Sequence, residues 1–145
     1  MAADWSTAVG LMNESGPTPE VRAGKIKNEI PWGKQWRAPN DAGNYTGTSG
    51  KRHSATLPVW RFKFNSIGLY DLGGNVWEWC LDTYKGDNNA TGRDWGVLRG
   101  GSWATRNRLE LQSSYPNIVD RNERDVIHGV RCVLATKPDG DVKNE

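Results

Sequence analysis

Few residues in this 145-residue chain are built for covalent or metal chemistry: two cysteines, Cys80 and Cys132, and two histidines, His53 and His128. A thiol pair can bridge, hold a soft metal or act as a nucleophile, but only with a second sulfur or an imidazole beside it. The two cysteines are far apart in sequence, so two readings stand: one bridge, or two inert buried thiols. His128 lies alone in the apolar run 127–134 and reads as structural. Trp77, Trp79 and Trp103 have the faces to stack on a sugar or a base, yet Trp77 and Trp79 alternate in a strand-like run, where tryptophans serve as core anchors. Arg99-Gly-Gly occurs once, too little for an RNA-binding repeat.

The remaining chemistry is non-covalent and lies in residues 104–126. Arg106, Asn107, Arg108, Gln112, Tyr115 and Asn117 supply adaptable hydrogen bonds around one aromatic, the makeup of a binding surface. Arg121, Glu123, Arg124 and Asp125 alternate in sign, as a solvated loop held by salt bridges would.

The elements that must position these residues are short. Gly (17) and Pro (7) make up about one residue in six, above the average of globular domains, so turns and loops dominate. Eight Trp, four Tyr and two Phe nevertheless supply enough large rings for one compact aromatic core, which argues against disorder. Mean hydropathy is -0.74, and no apolar run approaches the length of a membrane span. Nineteen Lys and Arg against seventeen Asp and Glu leave a charge of +2, short of the basic excess expected of a nucleic-acid binder. The first residues show no secretory leader, and no compartment is assigned, cytoplasmic and bacterial extracytoplasmic locations both being compatible.

Along the chain, residues 4–11 predict a short helix with Asp4 as its cap, ended by Gly10, Gly16, Pro17 and Pro19 acting as breakers. Residues 31–56 read as a long structured loop pinned by Trp32, Trp36 and Tyr45. Trp60, Phe62 and Phe64 alternate with Arg61 and Lys63, which predicts a half-buried strand. Residues 95–99 and 127–134 predict two more strands, before a polar tail at 137–145 that frays.

Residues 68–79 (GLYDLGGNVWEW), 98–103 (LRGGSW) and 129–132 (GVRC), with PWGKQW at 31–36 and AGNY at 42–45, resemble in order and spacing the signature blocks of the formylglycine-generating enzyme family, also called the sulfatase-modifying-factor domain. The resemblance implies an α+β, loop-rich variant of the C-type lectin fold, with short antiparallel strands and little helix. It covers roughly residues 4–135 and implies one domain at 1–136, abbreviated at its N-terminus relative to the family. A missing N-terminal part would leave a sheet edge and apolar surface open, so self-association or a partner chain completing the fold is expected.

Enzymes of the family oxidise a substrate cysteine with oxygen, using copper held by two cysteines shortly after the RGGS block. Residues 103–115 contain no cysteine, so the resemblance implies the framework without that reaction, and no copper is expected. The related iron-using sulfoxide-forming enzymes draw histidines from an extra domain, which His53 and His128 do not replace. In family enzymes a calcium ion is held by residues spaced like Asp71, Gly74, Val76 and Glu78, and two carboxylates flanking a glycine turn suit the hard oxygen ligands calcium takes. The alternative is that Asp71 caps the turn and Glu78 accepts hydrogen bonds from loop amides. A second family calcium site has no counterpart in residues 45–58.

In binding members of this fold, the variable proteins of diversity-generating retroelements among them, the region matching 104–126 faces the ligand. The expected function is therefore a non-catalytic binding or scaffold module recognising a protein or glycan. Alternatives are an accessory or active enzyme using another site, and a structural subunit of a larger assembly. Three sequons begin at Asn13, Asn44 and Asn89 and matter only on a eukaryotic secretory route.

Overall fold

The computed structural model describes residues 2–11, 14–34, 39, 41–46, 54–84 and 94–134. Trp36, His53, two of the sequons and the tail 137–145 lie outside these residues.

Helix among the described residues is confined to two short elements, α1 (Ala2–Ala8) and α2 (Pro19–Lys25). α1 begins two residues before the expected cap, so that Asp4 lies within its first turn instead of ahead of it. Ala2, Trp5 and Ser6 form its buried stripe and pack on the sheet. α2 was not expected, because Pro19 reads as a breaker. It is in fact the first residue of a helix, where a missing N–H costs nothing, and the Thr18 hydroxyl accepts the Val21 N–H as the cap. No helix is long and apolar enough to cross a membrane among the described residues.

Four strands follow among the described residues: β1 (Trp77–Tyr84), β2 (Trp95–Arg99), β3 (Asn117–Asp120) and β4 (His128–Gly129), ordered β3-β2-β1-β4. β1–β2 and β2–β3 are antiparallel, while β4 lies parallel to the start of β1, with Trp77 opposite His128 and Glu78 opposite Gly129. β2 coincides with the expected strand. Its Val97 and Leu98 are wholly buried, and Gly96 is glycine because the Trp79 ring lies over it; an added Cβ would stand 2.3 Å from that ring.

The strand expected at 59–64 does not form. Trp60 has φ +64, a left-handed angle no ladder admits, and it is 70% exposed; Phe64 is exposed as well. The alternation there is a local coincidence with no buried face behind it. The strand expected at 127–134 is cut to two ladder residues; beyond them Val130, Val133 and Leu134 are exposed, with no layer to cover them, while Arg131 turns to Glu78 and the Tyr70 carbonyl.

Two apolar clusters result. Trp77, Leu98 and Val119 form the first, with Trp79, Tyr115 and Ile127 against them. Ile30, Tyr45 and Leu111 form a second beneath the loops. There Trp32 stacks on Tyr45 at 4.8 Å with the rings 6° apart, so two of the three rings expected to pin the long loop do so. The architecture is a loop-rich α+β domain around a small mixed sheet.

Candidate functional site

The glycine-rich blocks meet each other before they meet anything else. The Gly74 N–H donates to the Gly100 carbonyl at 2.9 Å, and the Trp103 N–H to the Asn75 carbonyl at 3.0 Å. Gly74 has φ +84, and an added Cβ would stand 2.3 Å from the Asn44 carbonyl oxygen, so backbone contacts backbone here. Asn75, itself at φ +64, closes the joint: its side-chain oxygen accepts from Asn44 Nδ2 and from the Leu57 N–H, and its amide donates to the Leu57 carbonyl. The Asn44 amide thus lies buried and engaged, which closes that sequon to a glycan in the folded chain.

The four residues expected to hold calcium lie along this joint and the start of β1, and their carboxylates are unequally prepared. Asp71 is half-buried at φ +54, and its Oδ2 is buried with no hydrogen-bond partner. Burial pushes its carboxyl above the usual range, and the nearby Arg131 charge opposes that. Glu78 is 5% exposed with both oxygens taken. Arg131 Nε donates to each at 2.9–3.0 Å, Arg131 Nη2 donates to Oε1 at 2.6 Å, and the Trp5 indole donates to Oε2 at 2.9 Å. The orphan oxygen of Asp71 fits a hard cation, whereas Glu78 already has its counter-charge. Among the described residues no three His, Cys, Asp or Glu gather as a metal cluster.

The thiols do not meet either. Cys80 is half-buried in β1, and burial pushes it up to about 11; Cys132 is exposed beyond β4, and both are free. His128 edges the Trp79 ring at 5.8 Å, and its Nδ1 is buried with no hydrogen-bond partner.

Residues 104–126 divide in two. Arg106 and Asn107 are exposed, and Arg108 and Gln112 are half-buried beside them. Their turn is anchored from below: Leu111 is buried against Ile30 and Tyr45, and Ser113 and Ser114 are also buried. The anchoring partner is the loop after α2, which the sequence reading missed. The Ser113 N–H donates to the Glu29 carbonyl at 2.8 Å, the Ser114 hydroxyl to the Ile26 carbonyl at 2.8 Å, and Arg108 Nη2 to Asn28 Oδ1 at 3.3 Å. No local signal joins residues 26–29 to 108–114.

Tyr115 and Asn117 are placed away from that turn. The Tyr115 ring tilts against Trp77 at 6.2 Å in the sheet core, and Asn117 opens β3 opposite Leu98. The Ile-Val pair of β3, after Pro116 and before an Asp-Arg-Asn turn, is the signal that marks this strand.

A family profile described as the sulfatase-modifying factor enzyme 1-like domain matches residues 6–136. The chain is 40% identical over 134 residues to "Inactive C-alpha-formylglycine-generating enzyme 2" of Mus musculus, covering 82% of this chain and 41% of that protein. It is 32% identical over 106 residues to the "Formylglycine-generating enzyme" of Thermomonospora curvata, covering 60% of this chain and 34% of that one. A solved structure, "Crystal Structure of CarF", superposes with a TM-score of 0.60 at 25% identity, over 88% of this chain and 43% of its own. The chain therefore spans about two fifths of these proteins.

Proposed function

The chain belongs to the sulfatase-modifying factor enzyme 1-like domain family, and from that premise we propose that it is a non-catalytic binding or scaffold module that recognises a protein or glycan through residues 104–126. One observation carries the reading. The segment after the Arg99-Gly-Gly joint has no cysteine, while the two thiols of the chain are on other elements, one half-buried with its ionisation suppressed and one exposed. No thiolate pair stands ready for soft-metal oxidation. What occupies the segment instead is an anchored polar turn, a rigid frame under changeable side chains. A relative at 40% identity bears the name of an inactive enzyme, in keeping with a kept framework and a lost reaction.

Two measurements test this. Incubated with copper, oxygen and a peptide carrying a sulfatase cysteine motif, the chain yields no aldehyde by mass spectrometry; an aldehyde overturns the reading. On a peptide and glycan array, wild type retains ligands that a triple variant, R106A with N107A and Q112A, loses; ligands held equally by both remove residues 104–126 from the function.

A structural calcium ion belongs to the same proposal, with Asp71 and the carbonyls of Gly74 and Val76 as ligands and Glu78 bound in an ion pair with Arg131 at its edge. Calcium raises the melting temperature of wild type relative to chelator, and Asp71→Asn abolishes that response. Because burial raises the Asp71 pKa, its ionised form is disfavoured by folding, and the associated stability is lost as pH rises through the folded-state value. Asp71→Asn is accordingly more stable than wild type in chelator at neutral pH. Equal melting of wild type with and without calcium ends the metal claim.

A further inference from the structure

The end of α2 with the loop after it and the turn at 104–112 form one composite surface, and its charge is one-sided. Residues 25–29 and 104–112 carry four cations, Lys25, Lys27, Arg106 and Arg108, against two carboxylates. Glu29 is taken by Lys34 at 3.1 Å, and Glu110, half-buried, accepts weakly from Asn107 at 3.4 Å. Lys25, Lys27 and Arg106 are exposed and form no ion pair among the described residues. Leu109 stands among them, 58% exposed, lifted by a turn in which its N–H donates to Asn107 Oδ1 at 3.0 Å. The two loops are fixed to each other through Arg108–Asn28, Ser114–Ile26 and Ser113–Glu29, so the cations are held on a common base.

We infer that this composite surface docks an acidic peptide segment with an apolar side chain, carboxylates meeting Lys25, Lys27, Arg106 and Arg108 and the apolar residue covering Leu109. The inference rests on the reading of residues 104–126 as a binding surface and adds to it both the partner chemistry and the second loop. Clustered cations select acidic motifs through charge-assisted hydrogen bonds. A peptide is favoured over a neutral sugar, whose apolar ring face stacks on exposed aromatics, because Tyr115, the aromatic of this segment, turns its ring into the core against Trp77.

The probe is a fluorescein-labelled peptide alternating Glu and Leu, with a Gln and Leu peptide as its neutral twin, followed by anisotropy on the full chain. Wild type binds the acidic peptide at about 50 mM salt and progressively more weakly toward about 300 mM as screening shortens. The double variant K27A with R106A weakens binding about fivefold or more, L109A weakens it about threefold, and R121A with R124A leaves it unchanged. Circular dichroism and melting of each variant keep a folding defect from passing as a lost contact, since all of these side chains are exposed. Equal binding of the neutral twin, equal loss in R121A with R124A, or tighter binding of a heparin tetrasaccharide overturns the inference, the last in favour of a sulfated glycan. If the acidic peptide fails while a neutral array ligand is still lost in R106A with N107A and Q112A, the charge assignment falls and the binding reading survives. If both fail, both fall.

Discussion

Residues 104–115 and 121–127 flank the same strand, β3, and are comparably polar, yet they are built in opposite ways. The first is anchored from elsewhere. Leu111 enters the Ile30–Tyr45 cluster, Ser113 and Ser114 hold the loop after α2, and the Ser113 carbonyl accepts from the fully buried guanidinium of Arg99 at 3.0 Å. The second is closed mostly by its own bonds and meets the sheet only at its end, where the Ile127 carbonyl accepts the Trp77 N–H at 2.7 Å and the side chain packs on the Trp77–Leu98–Val119 cluster. Asp120 Oδ1 accepts the Asn122 N–H, Asp125 Oδ1 the Ile127 N–H, and Arg124 Nη1 donates to the carbonyls of Arg121 and Glu123. Its one acid–base contact among the described residues is Glu123 with His128 at 3.8 Å, so the alternating charges are a solvated turn closed by hydrogen bonds and not a salt-bridge lattice. Polar composition alone therefore does not separate a presented surface from a self-closed connection; what lies beneath the segment does.

Arg99 gives the largest expected effect on this contrast. Its Nη2 meets Glu14 at 2.6 Å with both side chains buried, and its guanidinium lies 5.8 Å from the Trp5 ring. Arg99→Ala strands a buried carboxylate and the Ser113 carbonyl together, for a loss of about 3–5 kcal/mol in chemical denaturation. Hydrogen exchange then rises in 111–115 and stays level in 121–127; equal rises would erase the distinction. Leu111→Ala comes next at about 2–5 kcal/mol, from lost burial and the cavity left behind. Its counterpart Val126→Ala, at a site 79% exposed, changes stability by about 0.5 kcal/mol or less. Ser114→Ala removes the bond to Ile26 and costs about 1 kcal/mol, while loosening the loop after α2 along with the turn.

Tyr45→Phe changes least at neutral pH, yet it tests the same division. Burial raises the pKa of the Tyr45 phenol, with the Asp41 charge adding to it, and burial raises that of Tyr115, with the Glu110 charge adding there. For phenols raised by folding, the stability they contribute is complete below their ordinary value near 10 and is lost as pH climbs toward the folded-state value. Alkaline titration above pH about 10 thus loosens 104–115 before 121–127, and Tyr45→Phe flattens the slope. An unchanged slope in that variant would take Tyr45 out of the anchor.

Much of the framework was legible in the sequence and the anchoring was not. β2 shows itself as a short β-branched and leucine run ending at a double glycine, and the blocks at 68–79 and 98–103 identify the family because their glycines permit the backbone joint seen between Gly74 and Gly100. Alternation at 59–64 misleads because a period of two reports burial only when a second layer covers one face, and none covers Trp60 or Phe64. Pro19 misleads because the same residue that ends a helix also opens one. In the candidate site, Arg106, Asn107, Arg108 and Gln112 share one turn, while Tyr115 and Asn117 are drawn off by the sheet. The contribution of residues 25–29 is invisible locally, since it depends on backbone carbonyls meeting Ser113 and Ser114 from some eighty to ninety positions away.

The Gly74–Gly100 contact behaves as a mortise, cut into the peptide chain itself and indifferent to the side chains around it. Any search keyed to those glycines sorts proteins by how they are jointed and not by what they do. Reactive and unreactive descendants will be collected side by side, and the few residues beyond the tenon decide which is which.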